Sequence, residues 1–267
     1  SSSSNAATAA TTKRAKPKPT SKQSTPTSFL LLLLLLLLLL RIRRGGVIVG
    51  AAVRFARDAR HLGHGTFGVS IEQLRTMLND AAMLLAGAYH EAGHTLVAFY
   101  TKEAMPIHKV TIIAKGQSGG HTAFVPKNDQ WHQTRSQLLA QLDVAFGGRA
   151  AEELIFGKEK VTGGASADLS QASNISEAMI KELGMSEKLG LRVYSERSLA
   201  NGLVGDSIKG VIDDEVNVLL NEGYKRAMTI LKNHRKELDL LAEALLHVLM
   251  LTFWGWMAAA WSRWKAK

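Results

Sequence analysis

Residues 88–100 read AYHEAGHTLVAFY, with two histidines and a glutamate in an otherwise largely apolar stretch. Its apolar content predicts a buried helix. In an α-helix, residues four positions apart lie on the same face, so His90 and His94 can offer two imidazole nitrogens to one metal ion. Glu91 lies beside the first histidine, where its carboxylate can take a proton from a water that the ion has made more acidic. The pattern His-Glu-x-x-His therefore indicates a zinc site that activates water.

The surroundings of these three polar side chains favour a functional role over a structural one. Every other residue from 81 to 100 is apolar, small or threonine. Buried polar groups need hydrogen-bond or metal partners, because an unsatisfied one costs free energy. The alternative is that His90 and His94 are core residues satisfied by backbone carbonyls, but this alternative leaves Glu91 unexplained.

Composition limits the kinds of protein this chain can be. It has 267 residues, enough for one or two domains, and 46% of them are hydrophobic, as in a globular core. There are no cysteines, so a zinc site must use histidine and carboxylate ligands. The net charge of +10 arises from residues 1–57, which hold ten Lys or Arg and no Asp or Glu. Because the rest of the chain is neutral, no nucleic-acid partner is predicted.

The N-terminal part differs in composition from a folded domain. Residues 1–28 are rich in Ser, Thr, Ala, Pro and Lys, which predicts disorder. Residues 29–64 combine a leucine run, Leu30–Leu40, with arginines, as is typical of a targeting or membrane-proximal segment. With Phe29, the run would form a helix of about 18 Å, shorter than the roughly 30 Å hydrocarbon core of a bilayer. An expanded or misassigned N-terminus is the alternative.

Upstream of the metal motif, residues 71–86 carry apolar side chains at helical spacing, with Ser70 as the expected N-cap. The glycines of residues 45–50 are not followed by the Gly-Lys-Ser/Thr of a phosphate-binding loop, which this sequence contains nowhere. We therefore predict no nucleotide-binding residues and no ATP bound by this chain.

Downstream of the motif, the sequence predicts a β-hairpin. Residues 109–114 and 121–126 contain β-branched and aromatic side chains on either side of glycines, which is typical of two paired strands. His108 and His121 lie in this region. They are either surface residues or neighbours of a substrate cleft, and the surface role is favoured.

A long amphipathic helix is expected within residues 129–156. Gly147 and Gly148 in the middle of this pattern permit close contact with another helix or a bend. Glu152 and Glu153 could be metal ligands by residue type, but we interpret them as a solvated helix face.

The two histidines leave a catalytic zinc ion one protein ligand short of the usual three. Tyr100 stands where the metzincin pattern has its third histidine. The best local candidate is Asp168, which follows a glycine turn at the start of a helix predicted over 169–183, where free N–H groups favour an ionised carboxylate. Spacing alone favours an ordinary aspartate at a helix start, so the residues by themselves leave both roles open.

Several motifs together resemble the peptidase domain of the FtsH family of ATP-dependent zinc proteases, and most closely its mitochondrial inner-membrane i-AAA branch. The resemblance covers roughly residues 65–246. The motifs that carry it are residues 88–94, 147–153, 162–168 and 184–190, and those that point to the branch are residues 100–107 and 128–143.

The resemblance implies that His90, His94 and Asp168 hold one Zn²⁺ per chain and that Glu91 is the general base. It also implies a substrate groove lined by four strand residues: Val110, Thr111, Ile112 and Ile113. Protein or peptide substrates, a hexameric ring and the mitochondrial inner membrane follow as expectations, with another organelle membrane such as that of the plastid as the alternative location.

The same resemblance suggests a domain organisation. Family members carry an ATPase module before the peptidase domain, whereas here residues 65–86 resemble only its last, lid part, so the ATPase core is absent from this sequence. We expect the peptidase domain over residues 87–246, ending in a helical hairpin at 205–246. The tail, residues 247–267, is hydrophobic and rich in tryptophan, and fits a membrane span, an interfacial helix or an out-of-frame tail.

These observations predict a mainly α (α+β) fold, in which a small β-sheet lies beside the metal helix. The predicted function is that of a zinc metalloendopeptidase that cleaves unfolded or membrane-associated proteins in protein quality control. One alternative is a catalytically idle assembly or regulatory subunit of an FtsH-like ring. Another is a membrane-anchored scaffold in which the histidine pair is structural.

Overall fold

The computed structural model describes residues 71–113, 120–125 and 132–265. The expectations for residues 1–28 and 29–64, for the first part of the 65–86 segment and for the Ser70 N-cap lie outside these ranges. The ends of the two predicted strands, at Ala114 and Pro126, lie outside them as well.

The metal motif lies in the second half of a long helix, α1, Ile71–Tyr100. This single helix joins the segment predicted over 71–86 to the buried stretch that contains His90. Its buried residues recur at the three- and four-residue spacing of one helix face, so α1 is anchored along much of its length. The residues of this face are Ala81, Ala88, Tyr89, Ala92, Leu96 and Val97.

The predicted β-hairpin is present, with shorter strands than expected. Strand β1, Ile107–Thr111, pairs antiparallel with β2, His121–Phe124, and Val110 lies opposite Thr122. Residues 112–113 follow β1 rather than belonging to it. The hairpin packs against α1, which brings β2 close to the metal motif.

The predicted long helix begins at a capping box. Helix α2, Arg135–Phe156, is preceded by Thr134, whose hydroxyl accepts a hydrogen bond from the Gln137 N–H. The Gln137 side chain in turn accepts from the Thr134 N–H. Two of the free N–H groups at the helix start are thereby satisfied, which explains why the helix starts here.

Helices α1 and α2 cross at two glycines. A Cβ atom at Gly93 would lie 2.3 Å from the Gly147 carbonyl oxygen, and one at Gly147 would lie 2.7 Å from the Gly93 carbonyl oxygen. Only glycine lets the two backbones approach this closely. Of the two alternatives that the double glycine left open, a close helix contact or a bend, the structure shows the close contact.

A short connection then leads into helix α3, Ser166–Lys181. The chain leaves α2 at Gly157, where φ is 86°, and forms two short 3₁₀ turns, Lys158–Lys160 and Gly163–Ala165. Asp168 lies in the first turn of α3. The glycine turn and helix predicted around Asp168 are both present.

The remaining helices are α4, Glu196–Ala200, α5, Asp206–Asn233, and α6, Arg235–Lys265. The expected helical hairpin is wrong in its packing. Helices α5 and α6 are separated only by His234, but α5 packs mainly on α2, and α6 packs mainly on α1. Each of the two helices therefore buries its apolar face mainly against an earlier helix and not against the other.

One ion pair ties α5 to α2. Arg226 donates to both carboxylate oxygens of the buried Asp143, at distances between 2.8 and 3.0 Å. Such two-pronged contacts fix geometry as well as charge. They hold α2 in the orientation that presents its other side to the histidines of α1.

The described residues are mainly helical, and the one sheet among them has two strands, so the predicted mainly α (α+β) class is confirmed. One apolar core joins α1, α2, α3, α5 and α6. Within the same described residues, no helix combines the length and the apolar character that crossing a membrane requires.

Candidate metal centre

The structure brings the three predicted ligands to one point. His90 and His94 lie one turn apart on α1, and their Nε2 atoms are 3.0 Å from each other. Asp168, from the first turn of α3, places its Oδ2 atom 3.1 Å from the His90 Nε2 and 3.4 Å from the His94 Nε2. Among the described residues, this is the group of three or more potential metal ligands that converges closely enough to hold an ion.

The other nitrogen of each histidine fixes the orientation of its ring. His90 Nδ1 is 2.8 Å from the Glu152 Oε1, and His94 Nδ1 is 2.7 Å from the Val144 carbonyl oxygen. Since a carbonyl oxygen and a carboxylate can only accept, we assign the proton of each neutral ring to Nδ1. Both Nε2 atoms then point their lone pairs at Asp168.

Three hydrogen-bond acceptors within 3.4 Å of each other repel unless a positive charge lies between them. Zinc suits this set, because it prefers imidazole nitrogen and carboxylate oxygen in tetrahedral geometry. Ligands about 2.1 Å from one tetrahedral ion lie about 3.4 Å apart. The observed separations therefore need to widen by at most about 0.4 Å to take the ion.

Without a metal ion, the same charge pattern attracts a proton. Burial lowers the pKa of His90, but the hydrogen bonds and negative charges of Asp168 and Glu152 outweigh burial and raise this pKa to about 9. Burial raises the pKa of Asp168, but the two histidines outweigh it and hold the pKa well below its usual range. The metal-free site therefore holds an ionised carboxylate and a proton at neutral pH.

Gly148 on α2 forms the side of the centre that faces the protein interior. A Cβ atom at this position would lie 2.5 Å from the His90 Nε2 and 2.6 Å from the His94 Nε2. The neighbouring Gly147 makes the backbone contact with α1, so the double glycine serves both the helix crossing and the imidazole pair. The sequence indicated the first of these roles but not the second.

The interpretation of Glu152 as part of a solvated helix face is wrong. Its side chain is 1% exposed, and it contacts His90 on one oxygen while the other accepts from the Thr162 N–H at 2.7 Å. Burial raises the pKa of Glu152, but these two partners outweigh burial and lower it. Glu152 follows Gly148 by four residues, so the two lie on the same face of α2, the face towards α1. This spacing is the feature of the sequence from which the position of Glu152 could have been predicted.

Glu153, next in sequence, has a different role from Glu152. It accepts a hydrogen bond from the Tyr224 hydroxyl of α5, and its carboxylate lies 3.9 Å from the Lys158 Nζ. It therefore links α2 to α5 and lies outside the metal centre.

Glu91, the predicted base, is buried on α1, next to His90 in the chain, and its side chain is hydrogen-bonded to the hairpin. Its Oε2 accepts a hydrogen bond from the Thr122 hydroxyl of β2 at 2.6 Å. Its position next to His90 on α1 follows from the motif, whereas the contact with Thr122 requires the hairpin to fold back on the helix. No local pattern in the sequence indicates this contact.

The remaining predicted site residues lie on or near the hairpin. Val110 and Thr111 are half-buried in β1, Ile112 is buried and Ile113 is exposed. Their role as a substrate groove stays a prediction. His108 and His121 are exposed and belong to no converging ligand group among the described residues, in agreement with the favoured surface role.

Comparison with known proteins identifies the family of this chain. The profile of peptidase family M41 matches residues 79–253, which is well over half of the chain. The chain is 51% identical over 159 residues to the mouse protein named ATP-dependent zinc metalloprotease YME1L1, and 54% identical over 164 residues to the Caenorhabditis elegans YME1 homolog. It is 47% identical over 165 residues to the Arabidopsis thaliana protein named ATP-dependent zinc metalloprotease FTSH 11, chloroplastic/mitochondrial.

Each of these matches covers about 60% of this chain, but only 20% to 23% of the relative. The chain thus spans about a fifth of the length of the curated relatives it matches. The matched part includes the metal helix and the Asp168 turn, and the family is the one that the FtsH resemblance predicted. The chain belongs to peptidase family M41.

Proposed function

We propose that this chain is a zinc-dependent endopeptidase in which His90, His94 and Asp168 hold one Zn²⁺. The observation that carries the proposal is the convergence of three acceptor atoms within 3.4 Å of each other, two of them with their lone pairs directed by Glu152 and Val144. A divalent cation bound by all three atoms fits this arrangement, and a proton held between His90 and Asp168 takes its place when the metal is absent.

Bound zinc supplies Lewis acidity, which lowers the pKa of a water molecule and polarises the carbonyl group of a peptide. Glu91 takes a proton from the attacking water as its oxygen bonds to the carbonyl carbon. Glu91 then delivers this proton to the nitrogen of the leaving amine as the carbon–nitrogen bond breaks. A buried carboxylate one residue from a ligand is suited to this transfer, since its surroundings exclude competing water.

The proposed substrate is a polypeptide in extended form. In our proposal it lies along Val110, Thr111, Ile112 and Ile113, where main-chain hydrogen bonds to a strand would bind it with little dependence on its side chains. Unfolded and membrane-associated proteins expose such segments, and their removal is protein quality control. The hairpin contacts the metal helix, which supports this location for a groove.

Assembly, energy supply and location are also proposals. The relatives are named ATP-dependent, and this sequence contains no phosphate-binding loop, so unfolding of substrates would depend on an ATPase outside these 267 residues. We propose a ring of six subunits by family resemblance. The proposed location is the mitochondrial inner membrane, with the plastid as the alternative that the name of the Arabidopsis relative suggests.

Replacement of Glu91 by Gln tests the mechanism. The variant should bind one zinc per chain, as measured by elemental analysis, and should cleave casein at least about 100-fold more slowly than the wild type, because the proton acceptor is lost. Glu187→Gln, the same chemical change at an exposed residue, should cleave at the wild-type rate. Cleavage by Glu91→Gln at the wild-type rate would contradict the mechanism, and a wild-type chain with zinc but without cleavage would point to the idle ring subunit.

A further inference from the structure

We propose that Thr122 is a positioning residue that holds one oxygen of the Glu91 carboxylate and leaves the other oxygen to carry the proton. The inference rests on the proposed function, because it assigns a task to each oxygen of the proposed base. Its foundation is the 2.6 Å hydrogen bond from the Thr122 hydroxyl to the Glu91 Oε2. Among the described residues, no second group forms a hydrogen bond with this side chain.

The direction of this hydrogen bond is fixed by its chemistry. An ionised carboxylate can only accept, so the Thr122 hydroxyl donates its proton to Oε2. A lone pair of Oε2 is then occupied, whereas Oε1 accepts nothing from the described residues. A proton taken from water therefore goes to Oε1, and the leaving amine receives it from the same oxygen.

Gly120 lies against the Oε1 side of the carboxylate and leaves room for the Glu91 side chain because it has no Cβ atom. A Cβ atom at Gly120 would lie 2.7 Å from both Cγ and Oε1 of Glu91. The three nearest atoms all belong to the Glu91 side chain, so the clash would displace Glu91. Gly120 and Thr122 thus act on the two oxygens in different ways, one by leaving space and the other by donating a hydrogen bond.

The position of Thr122 within a strand makes its hydroxyl a firm support. Its backbone is paired with Val110 across the hairpin, and the Thr side chain is branched at Cβ, which restricts its rotation. Glu91 itself is on α1, so the hydrogen bond joins the helix that carries the ligands to the sheet proposed to hold the substrate. Displacement of a reacting group by about 1 Å costs on the order of 100-fold in rate.

The test uses the full zinc-loaded chain with Thr122→Val, Thr122→Ser, Thr122→Ala and Gly120→Ala. Valine keeps the shape and strand preference of threonine but removes the donor, serine restores the donor, and alanine removes the donor without adding bulk. Thr229→Val is the matched control, because the Thr229 hydroxyl donates to the Lys225 carbonyl within an exposed turn of α5 and, among the residues that the structure describes, to nothing else. Each variant is measured for zinc content, for kcat and KM on a quenched fluorescent peptide, and for the ¹³Cδ NMR resonance of Glu91, identified by its absence in Glu91→Gln.

We expect Thr122→Val, Thr122→Ala and Gly120→Ala to keep one zinc per chain and wild-type KM within about twofold, while kcat falls at least about tenfold. Thr122→Ser and Thr229→Val should stay within about threefold of the wild-type kcat. The Glu91 ¹³Cδ resonance should move in the three impaired variants and remain in place in the other two.

An active wild type with unchanged kcat in Thr122→Val and Thr122→Ala would overturn the positioning role and leave the proposed function intact. An equal loss of kcat in Thr122→Ser would also overturn it, because the donor would then not be the cause. If the wild type cleaves nothing, the proposed function fails and the Glu91 ¹³Cδ resonance tests the positioning role alone. A resonance that moves in Thr122→Val but keeps its wild-type position in Thr122→Ser supports the positioning of Glu91. A resonance that moves in neither variant overturns the positioning role as well.

Discussion

Substitution of Gly148 by alanine should weaken zinc binding by about 100- to 1,000-fold without harming the fold. The added Cβ atom would lie 2.5 Å from the His90 Nε2 and 2.6 Å from the His94 Nε2, about 1 Å closer than an ordinary carbon–nitrogen contact. Zinc–ligand distances tolerate errors of only about 0.2 Å, so at least one imidazole must leave the ion. If a four-ligand zinc site is worth about 10–16 kcal/mol, one ligand contributes about 2.5–4 kcal/mol, which is a loss of about 100- to 1,000-fold in affinity.

The assay is a competition titration in which the protein and a chromophoric chelator share a limiting amount of zinc. Thermal unfolding of the metal-free protein, followed by circular dichroism, shows whether the fold survives, and alanine in a helix interior should raise stability if anything. Gly210→Ala on α5 is the matched control, because a Cβ atom there meets nothing within 4 Å. Wild-type zinc affinity in Gly148→Ala would refute the assignment of the two Nε2 atoms as ligands.

Two further predictions concern the groups around the ion. Because the pKa of His90 in the metal-free protein is raised to about 9, zinc must displace a proton from His90 below that pH. The apparent zinc affinity in the same titration should therefore rise about tenfold per pH unit up to about pH 9 and then level off. A zinc affinity that does not change between pH 7 and 9 would contradict the proton displacement. Glu152→Gln should weaken zinc binding by about 10- to 100-fold, since it removes the negative charge that orients His90. The control, Glu153→Gln, should leave zinc binding unchanged. An equal loss of zinc affinity in the two variants would mean that the loss arises from packing.

The sequence predicted those parts of the site that local geometry determines. The spacing of His90 and His94 places them on one helix face whatever the rest of the chain does. The hairpin and the helix start at Asp168 also follow from local signals. The arrangement of these residues around one point cannot be predicted from local signals. Asp168 is 78 residues from His90 in the chain, and the packing of α3 on α2 brings it to the histidines.

The errors have a common physical cause. Glu152 and Glu153 are neighbours in one helix, and residue type alone does not tell which of them faces α1. Likewise, the apolar spacing in α5 and α6 shows that each helix has a buried face, but not that the faces meet α2 and α1 instead of each other. The spacing of apolar residues shows that one face of a helix is buried. It does not show which other element covers that face, because tertiary packing determines this.

The most direct test of the metal centre is anomalous X-ray diffraction at the zinc edge from crystals of the zinc-loaded protein. We expect one strong peak per chain, bonded to the Nε2 atoms of His90 and His94 and to the Asp168 carboxylate, with Glu91 near the ion but not bonded to it. A peak elsewhere, or a zinc ion held by the two histidines without Asp168, would contradict this expectation.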